Sequence, residues 1–301
     1  MEHKTFKTID EQIQILDSRG LSIPDKEYAT NILLNSNYYR LSGYSLTLRK
    51  GDTFVKGSEF NDIVEIYDFD RRLRSLLFSY LETIEVELRT HIAYEVGKAD
   101  IDPNETISYL KAETFATDKH FLDFMDELAE AHKDSKNEAF VKHHDTKYGG
   151  VLPVWAVVET LSFGALSRMY SSLNTDLKKR ISQNYYHGLK GNILDNWFQG
   201  LVVLRNLCAH RARLFNRGFI MSPLFSTEEV NYFASQGYNG DQIGKRLFFR
   251  LIVIAKLSQK PVEMMNQMIS DIDDMIAHSP INLKYYGFQK NWDEIMEHVI
   301  K

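Results

Sequence analysis

At 301 residues, with 44% hydrophobic and 26% charged residues, the chain has the make-up of a globular protein with one large or two small domains. Its single cysteine, Cys208, excludes an intrachain disulfide and any cysteine-based zinc cluster, and six prolines with no low-complexity tract argue against a long disordered linker. No apolar run approaches the ~18 residues of a membrane span and none follows Met1 as a signal peptide would, so a cytoplasmic protein, not bound to a membrane and of formal net charge -5, is expected.

Apolar spacing of three and four residues predicts helices over 9–19 and 26–35, split by Gly20 and Pro24. Residues 38–55 change texture. Leu41, Tyr44, Leu46 and Leu48, the turn Lys50-Gly51-Asp52 and then Phe54-Val55 read as a small hairpin. From 58 to 96 one stripe runs through Leu73, Leu77, Tyr80, Ile84, Leu88, Ile92 and Val96, and Glu85 and Arg89 stand in the i,i+4 order that favours an ion pair. Asp68-Phe69-Asp70-Arg71-Arg72 reads as a solvated helix start, with carboxylates near its positive end. Residues 97–104 read as a loop, 121–131 as a helix, and the polar, glycine-ended 134–150 as a mobile excursion. Pro153 opens a helix carrying Trp155 and Glu159 that stops near Ser162-Phe163-Gly164. Further helices are expected over 166–173, 175–185, 193–214, from Thr227 onward, and over 241–257, 261–277 and 292–299. The fold class is therefore all-α with a small N-terminal hairpin; residues 1–57 form helices plus hairpin packed on a helical domain of 58–301. Leu88 and Leu204 are expected in the main core, with their helices packed together.

The most informative stretch is Arg205-Asn206-Leu207-Cys208-Ala209-His210, followed by Arg211-Ala212-Arg213. No acid interrupts Arg205 to Arg217, so a basic island stands on a mildly acidic chain. Arginine holds a phosphate and stabilises its developing charge, and histidine, with an ordinary pKa of about 6.5, moves protons at neutral pH. The chemistry this suggests is phosphodiester chemistry on RNA. Read as one helix over 193–214, Trp197, Leu201, Leu204, Cys208, Ala212 and Phe215 share a core face. Asn206, His210 and Arg213 form a stripe nearly opposite. Val202, Val203, Leu207 and Leu214 lie between, making the helix apolar on more sides than one core face explains. Arg205 and His210 are five apart, about 140° around an ideal helix, and cannot both point at one target. Either the long arginine reaches around, or a two-fold axis brings the arginine of one chain to the histidine of another.

R-N-x-x-x-H near the end of a late helix resembles the HEPN ribonuclease motif. The chain as a whole resembles, more specifically, the bacterial abortive-infection family of the AbiD/AbiF-like group. The matching pieces run in order: Asn37-Tyr38-Tyr39-Arg40-Leu41-Ser42-Gly43-Tyr44; Tyr67-Asp68-Phe69-Asp70-Arg71-Arg72-Leu73-Arg74; Ile84-Glu85-Val86-Glu87-Leu88-Arg89-Thr90; Trp155, Glu159 and Ser162-Phe163-Gly164-Ala165-Leu166-Ser167; the motif stretch 204–216; and Gly287-Phe288 with Trp292. The resemblance implies an all-α HEPN-like bundle, phage defence, and RNA as target or partner. It implies a metal-independent endoribonuclease without a cofactor, in which Arg205, Asn206 and His210 form a catalytic site composite across a homodimer. A phage trigger or an antitoxin is a further implied partner.

Around that site, Arg211 and Arg213 are expected to bind RNA, with Arg40 on phosphate and Tyr39 stacking on a base. Arg89 either joins them or only pairs with Glu85. Tyr38, Tyr39 and Tyr44 either stack bases or seal the hairpin onto the helices. His143-His144-Asp145 lacks the carboxylate cluster of a metal site, and Gly240 to Arg246 has one residue too few between its glycines for a phosphate loop. Three functions remain open at this level: a metal-independent endoribonuclease, a non-catalytic RNA-binding protein, and a helical module that senses a partner.

Overall fold

The computed structural model describes residues 5–99, 107–240, 243–279 and 281–301. Among them are fourteen α-helices and one two-stranded antiparallel sheet, so the chain is all-α with a small hairpin. In chain order the elements are α1 (Ile9–Ser18), α2 (Lys26–Ser36), α3 (Tyr38–Ser42), β1 (Arg49–Lys50), β2 (Thr53–Phe54), α4 (Phe60–Gly97), α5 (Asp118–Ser135), α6 (Ala139–Lys147) and α7 (Val154–Thr160). Then come α8 (Phe163–Ser172), α9 (Thr175–Tyr185), α10 (Gly191–Ala209), α11 (Thr227–Ser235), α12 (Phe248–Leu257), α13 (Pro261–His278) and α14 (Trp292–Ile300).

The organising element is α4, 38 residues long, hence about 57 Å at 1.5 Å per residue. Glu59 and Asp62 form a reciprocal capping box at its start, satisfying two donors that would otherwise be orphaned. Its stripe of Leu73, Leu77, Leu81, Ile84, Leu88, Ile92 and Val96 is almost completely buried, against α7, α9 and α10. Leu88 and Leu204 are both fully buried, as the two apolar stripes require. Deleting either side chain to alanine would cost about 2–5 kcal/mol through lost burial and a residual cavity. On the far side, α12 buries every residue but Lys256, which is what an all-round apolar helix must do. Arg250 shares that burial. Its guanidinium donates to the carbonyls of Gly244 and Met221 and lies 4.1 Å over the Phe219 ring. Burial lowers its pKa to about 10, so it stays charged while pinning the chain that leads into α12.

Four expectations change. The hairpin is shorter: Asn37, at φ 57°, takes the Tyr39 N–H on its side chain and starts α3, so 38–42 are helical and only Arg49–Lys50 and Thr53–Phe54 pair. The 134–150 stretch holds α6, because Val141 is fully buried and offers a hydrophobic anchor. Helix α12 starts at Phe248 rather than at 241; residues 241–242 lie outside the described residues, as do 100–106 of the expected 97–104 loop. Asp68 to Arg72 is not a solvated helix start. Helix α4 begins at Phe60, and Asp70 and Arg74 are buried inside it.

The N-terminal elements pack on the same core. Phe54 donates its N–H to Arg19 (2.8 Å), Ser22 bridges to Glu59, and Tyr44 is 1% exposed with its hydroxyl on Asp70. No helix among the described residues is long and apolar enough to cross a membrane.

Candidate functional site

The motif helix α10 ends sooner than its sequence pattern suggests. Leu194, Trp197, Phe198, Leu201, Leu204 and Cys208 face the core, but the helix stops at Ala209 and His210 is its C-cap. Arg211 takes the left-handed conformation (φ 56°). Its N–H bonds to the Cys208 carbonyl (3.1 Å) and that of Ala212 to the Leu207 carbonyl (2.8 Å). These are the paired bonds of a Schellman stop, with arginine where glycine is usual. Left-handed backbone costs a non-glycine residue about 1 kcal/mol. The cause lies elsewhere in the chain. Leu214 and Phe215 donate their N–H groups to the Asp70 carboxylate (3.2 and 2.8 Å) instead of continuing a helical ladder. Asn206, His210 and Arg213 therefore do not form one helical stripe, and Ala212 and Phe215 lie beyond the helix.

Asp70 is the hub of this arrangement. Besides the two backbone N–H groups it accepts Tyr44 Oη (2.8 Å) and Tyr286 Oη (3.1 Å), and it pairs with Arg74 one turn along α4. Burial raises its pKa above the ordinary carboxylate value, and Arg74 and the hydrogen bonds offset part of that rise. One carboxylate thus ties the motif exit to the N-terminal segment, to α4 and to the segment before α14. Sequence reasoning missed it. The signal was there: Asp70 is on the same stripe as Leu73 and Leu77, and Arg74 follows at i+4.

Two grooves flank the turn. His210 opens on one of 470 Å³, whose walls include Tyr39, Arg40, Arg49, Arg211 and Arg213. The His210 imidazole is exposed and makes no hydrogen bond to any described residue. Arg40 Nη1 donates to the Arg211 carbonyl (2.9 Å), holding α3 against the turn. Arg213 donates to the Phe215 carbonyl (2.7 Å) and packs on Gly43, where a Cβ would come within 3.2 Å of its Nε. Tyr39 is 85% exposed and free to stack, while Tyr44 is committed to the core. The second groove, 620 Å³, lies between α4 and the end of α10; Arg40, Arg71, Arg74, Arg211, Tyr67 and Phe78 line it together with Cys208. Burial pushes the Cys208 thiol up to about 12, leaving it neutral packing.

Arg205 sits apart from His210. Its Nε lies 3.3 Å from Glu85 Oε2, Nη1 3.4 Å from Asn206 Oδ1, and the guanidinium 6.0 Å from the Phe78 ring centre. Glu85 also holds Arg89 at 3.3 Å. Arg89 in turn donates to the carbonyls of Val158 and Leu161 (both 2.8 Å), closing the C-terminal end of α7. The Glu85–Arg89 pair is thus structural, and Arg89 is not among the walls of either groove. The fold gathers Tyr39, Arg40, His210, Arg211 and Arg213. It leaves Arg205 with Glu85 and the Phe78 ring, outside the His210 groove, and Asn206 and Arg89 line neither groove. On α6, His143 and His144 converge with Tyr148, His132 faces Asp145 (3.4 Å), and among the described residues no group of three or more His, Cys, Asp or Glu is placed to hold a metal.

An all-helical core carrying a basic turn after a buried helix defines the class. The chain matches the Abi-like protein family model over residues 31–216, well over half its length, and belongs to that family. The match takes in α3, the whole of α4 with Asp70 and Arg74, and the motif up to Asn216. No curated protein and no solved structure gives a significant match.

Proposed function

We propose that the protein acts on RNA in abortive infection, a defence against phage, as a metal-independent endoribonuclease of the HEPN type. Membership of the Abi-like family supports the defence role. The observation that carries the chemistry is His210: an exposed imidazole without a hydrogen-bond partner among the described residues, at a strained helix stop, sharing a groove with Arg40, Arg211 and Arg213. In the reaction, the ribose 2′-oxygen bonds to phosphorus and the bond to the 5′-oxygen breaks. A cyclic phosphate remains on one fragment and a free 5′-hydroxyl on the other. His210 accepts the 2′ proton or delivers one to the leaving oxygen, and the arginines stabilise the charge on the non-bridging oxygens. Requiring a 2′-hydroxyl restricts the substrate to RNA.

One chain offers one imidazole, with Arg205 well away from it. A homodimer supplies both roles. Phe78 and Val86 on the outer stripe of α4, and Val203 on that of α10, are 37%, 51% and 47% exposed, apolar surface that suits a second copy. The test is cleavage of labelled RNA in the presence of chelator. Wild type should cleave, His210→Ala should not, and a mixture of Arg205→Ala with His210→Ala chains should recover part of the activity. Activity retained by His210→Ala would overturn the reading.

One observation favours a second reading, a non-catalytic RNA-binding protein: Glu85 already neutralises Arg205 within the chain. Binding without cleavage by both wild type and His210→Ala would decide for it. A phage trigger or an antitoxin remains part of the proposal as the means of keeping such a nuclease silent.

A further inference from the structure

We propose that the groove lined by Arg71 and Arg74 is a second subsite for the sugar-phosphate backbone of single-stranded RNA, continuing the strand beyond the His210 groove. The proposal rests on reading the His210 groove as an RNA site. Helices α4 and α10 run antiparallel here, since Glu85 faces Arg205 while Asp70 faces Leu214 and Phe215. The groove follows α4 from Tyr67 to Phe78, eleven residues or about 16 Å of helix. It therefore leads from the Arg211 turn toward Arg205, whose guanidinium stands over Phe78.

Its charge is one-sided. Arg40, Arg71, Arg74 and Arg211 line it and, among the described residues, no carboxylate does, although the chain as a whole is acidic. Arg74 is buried and paired with Asp70, so it stiffens the floor of the groove, and the charge open to a ligand is that of Arg71, Arg40 and Arg211. Asp68 reaches only Nε of Arg71 (3.2 Å) and leaves its terminal nitrogens to solvent. Arg40 and Arg211 wall both grooves and are joined by the hydrogen bond from Arg40 to the Arg211 carbonyl. They form a cationic ridge with an anion-accepting trough on each side. That repetition matches a polymer with one negative charge per residue, rather than the single dianion of a phosphopeptide. Tyr67, at the end nearer the turn, supplies a face for a base. At 620 Å³ the groove has the size of a small-ligand cleft.

The experiment is fluorescence anisotropy with a short labelled single-stranded oligoribonucleotide, methylated at its 2′ oxygens so that it is bound but not cut. Arg71 is 58% exposed and paired only to Asp68, so Arg71→Glu should leave the fold intact, checked by circular dichroism, with Arg71→Gln as a milder second variant. Arg71→Glu should weaken binding about tenfold at low salt and lower the salt slope by about one. Arg71→Lys should restore most of the affinity. Lys260→Glu, the same charge change at the residue just before α13, should have little effect. Equal loss from Arg71→Glu and Lys260→Glu would overturn the subsite, as would displacement of the RNA by its duplex form at equal concentration, or tighter binding of a phosphoserine peptide. Cleavage that depends on His210 but ignores Arg71→Glu would sink this inference alone. Arg71-dependent binding without cleavage would sink the nuclease reading alone.

Discussion

Two carboxylates on α4, Asp70 and Glu95, are equally inaccessible, each 0% exposed, yet they serve different ends. Asp70 collects donors from three distant parts of the chain and decides where the motif helix stops. Glu95 collects its donors from one neighbouring helix: Arg180 (3.2 Å), Asn184 (2.8 Å) and Tyr185 (3.2 Å), all on α9. Beside it, His91 stacks on Tyr185 at 3.9 Å and meets Tyr186 Oη at 3.0 Å. The first cluster shapes the candidate site, and the second fastens one helix to another. The burial of a charge does not reveal which role it has; the sequence separation of its partners does.

Removing the hubs should separate the two clusters. Asp70→Ala strands a buried Arg74, two backbone N–H groups and two tyrosine hydroxyls, and should cost about 3–5 kcal/mol in urea unfolding. RNA binding should fall with it, because the turn loses its anchor. Glu95→Ala should cost less, about 1–3 kcal/mol, since Arg180 is 44% exposed and can turn to water. RNA binding should be unchanged. Equal costs, or loss of binding from Glu95→Ala, would break the distinction.

Acid should act through the second cluster. Burial holds the His91 pKa at about 4, below the ordinary 6.5. The unfolded chain therefore takes up the proton first. Stability contributed by neutral His91 is fully present above pH 6.5 and is lost as pH falls through 6.5 toward 4, by up to about 3 kcal/mol. Unfolding measured across that window should steepen with acidity, and His91→Phe should flatten the profile.

The smallest effects belong to the turn itself. Arg211→Gly should stabilise the fold by about 1 kcal/mol, because glycine takes the left-handed conformation without penalty. The same change should weaken RNA binding, the signature of strain kept for function. His210→Ala should change stability by no more than about 0.5 kcal/mol while abolishing cleavage, since the imidazole is exposed and unbonded. A large destabilisation from His210→Ala would mean that its role is structural.

Much of the fold was legible because periodicity is local. The stripes of α4 and α10, the start of α11 at Thr227 and the bounds of α9 follow from spacing and residue types within a few positions of one another. The composition of the site was legible too, since Arg40, His210, Arg211 and Arg213 announce themselves by chemistry, and Tyr39 by its place beside Arg40. Their arrangement was not. No glycine or proline occurs between Gly200 and Gly218, and Leu207 and Leu214 prolong the apolar pattern, so nothing nearby says that the helix stops at Ala209. That stop is set by Asp70, 144 residues before Leu214, whose carboxylate outcompetes the helical ladder for two N–H groups. The five-residue spacing already parts His210 from Arg205, which Glu85 holds, and α3 packing on the turn brings Tyr39 and Arg40 beside His210. Sequence alone determined most of the helices and the residue types of the candidate site. Only tertiary structure decided which of them meet, because a buried carboxylate takes its hydrogen bonds wherever the fold delivers donors, at any distance along the chain.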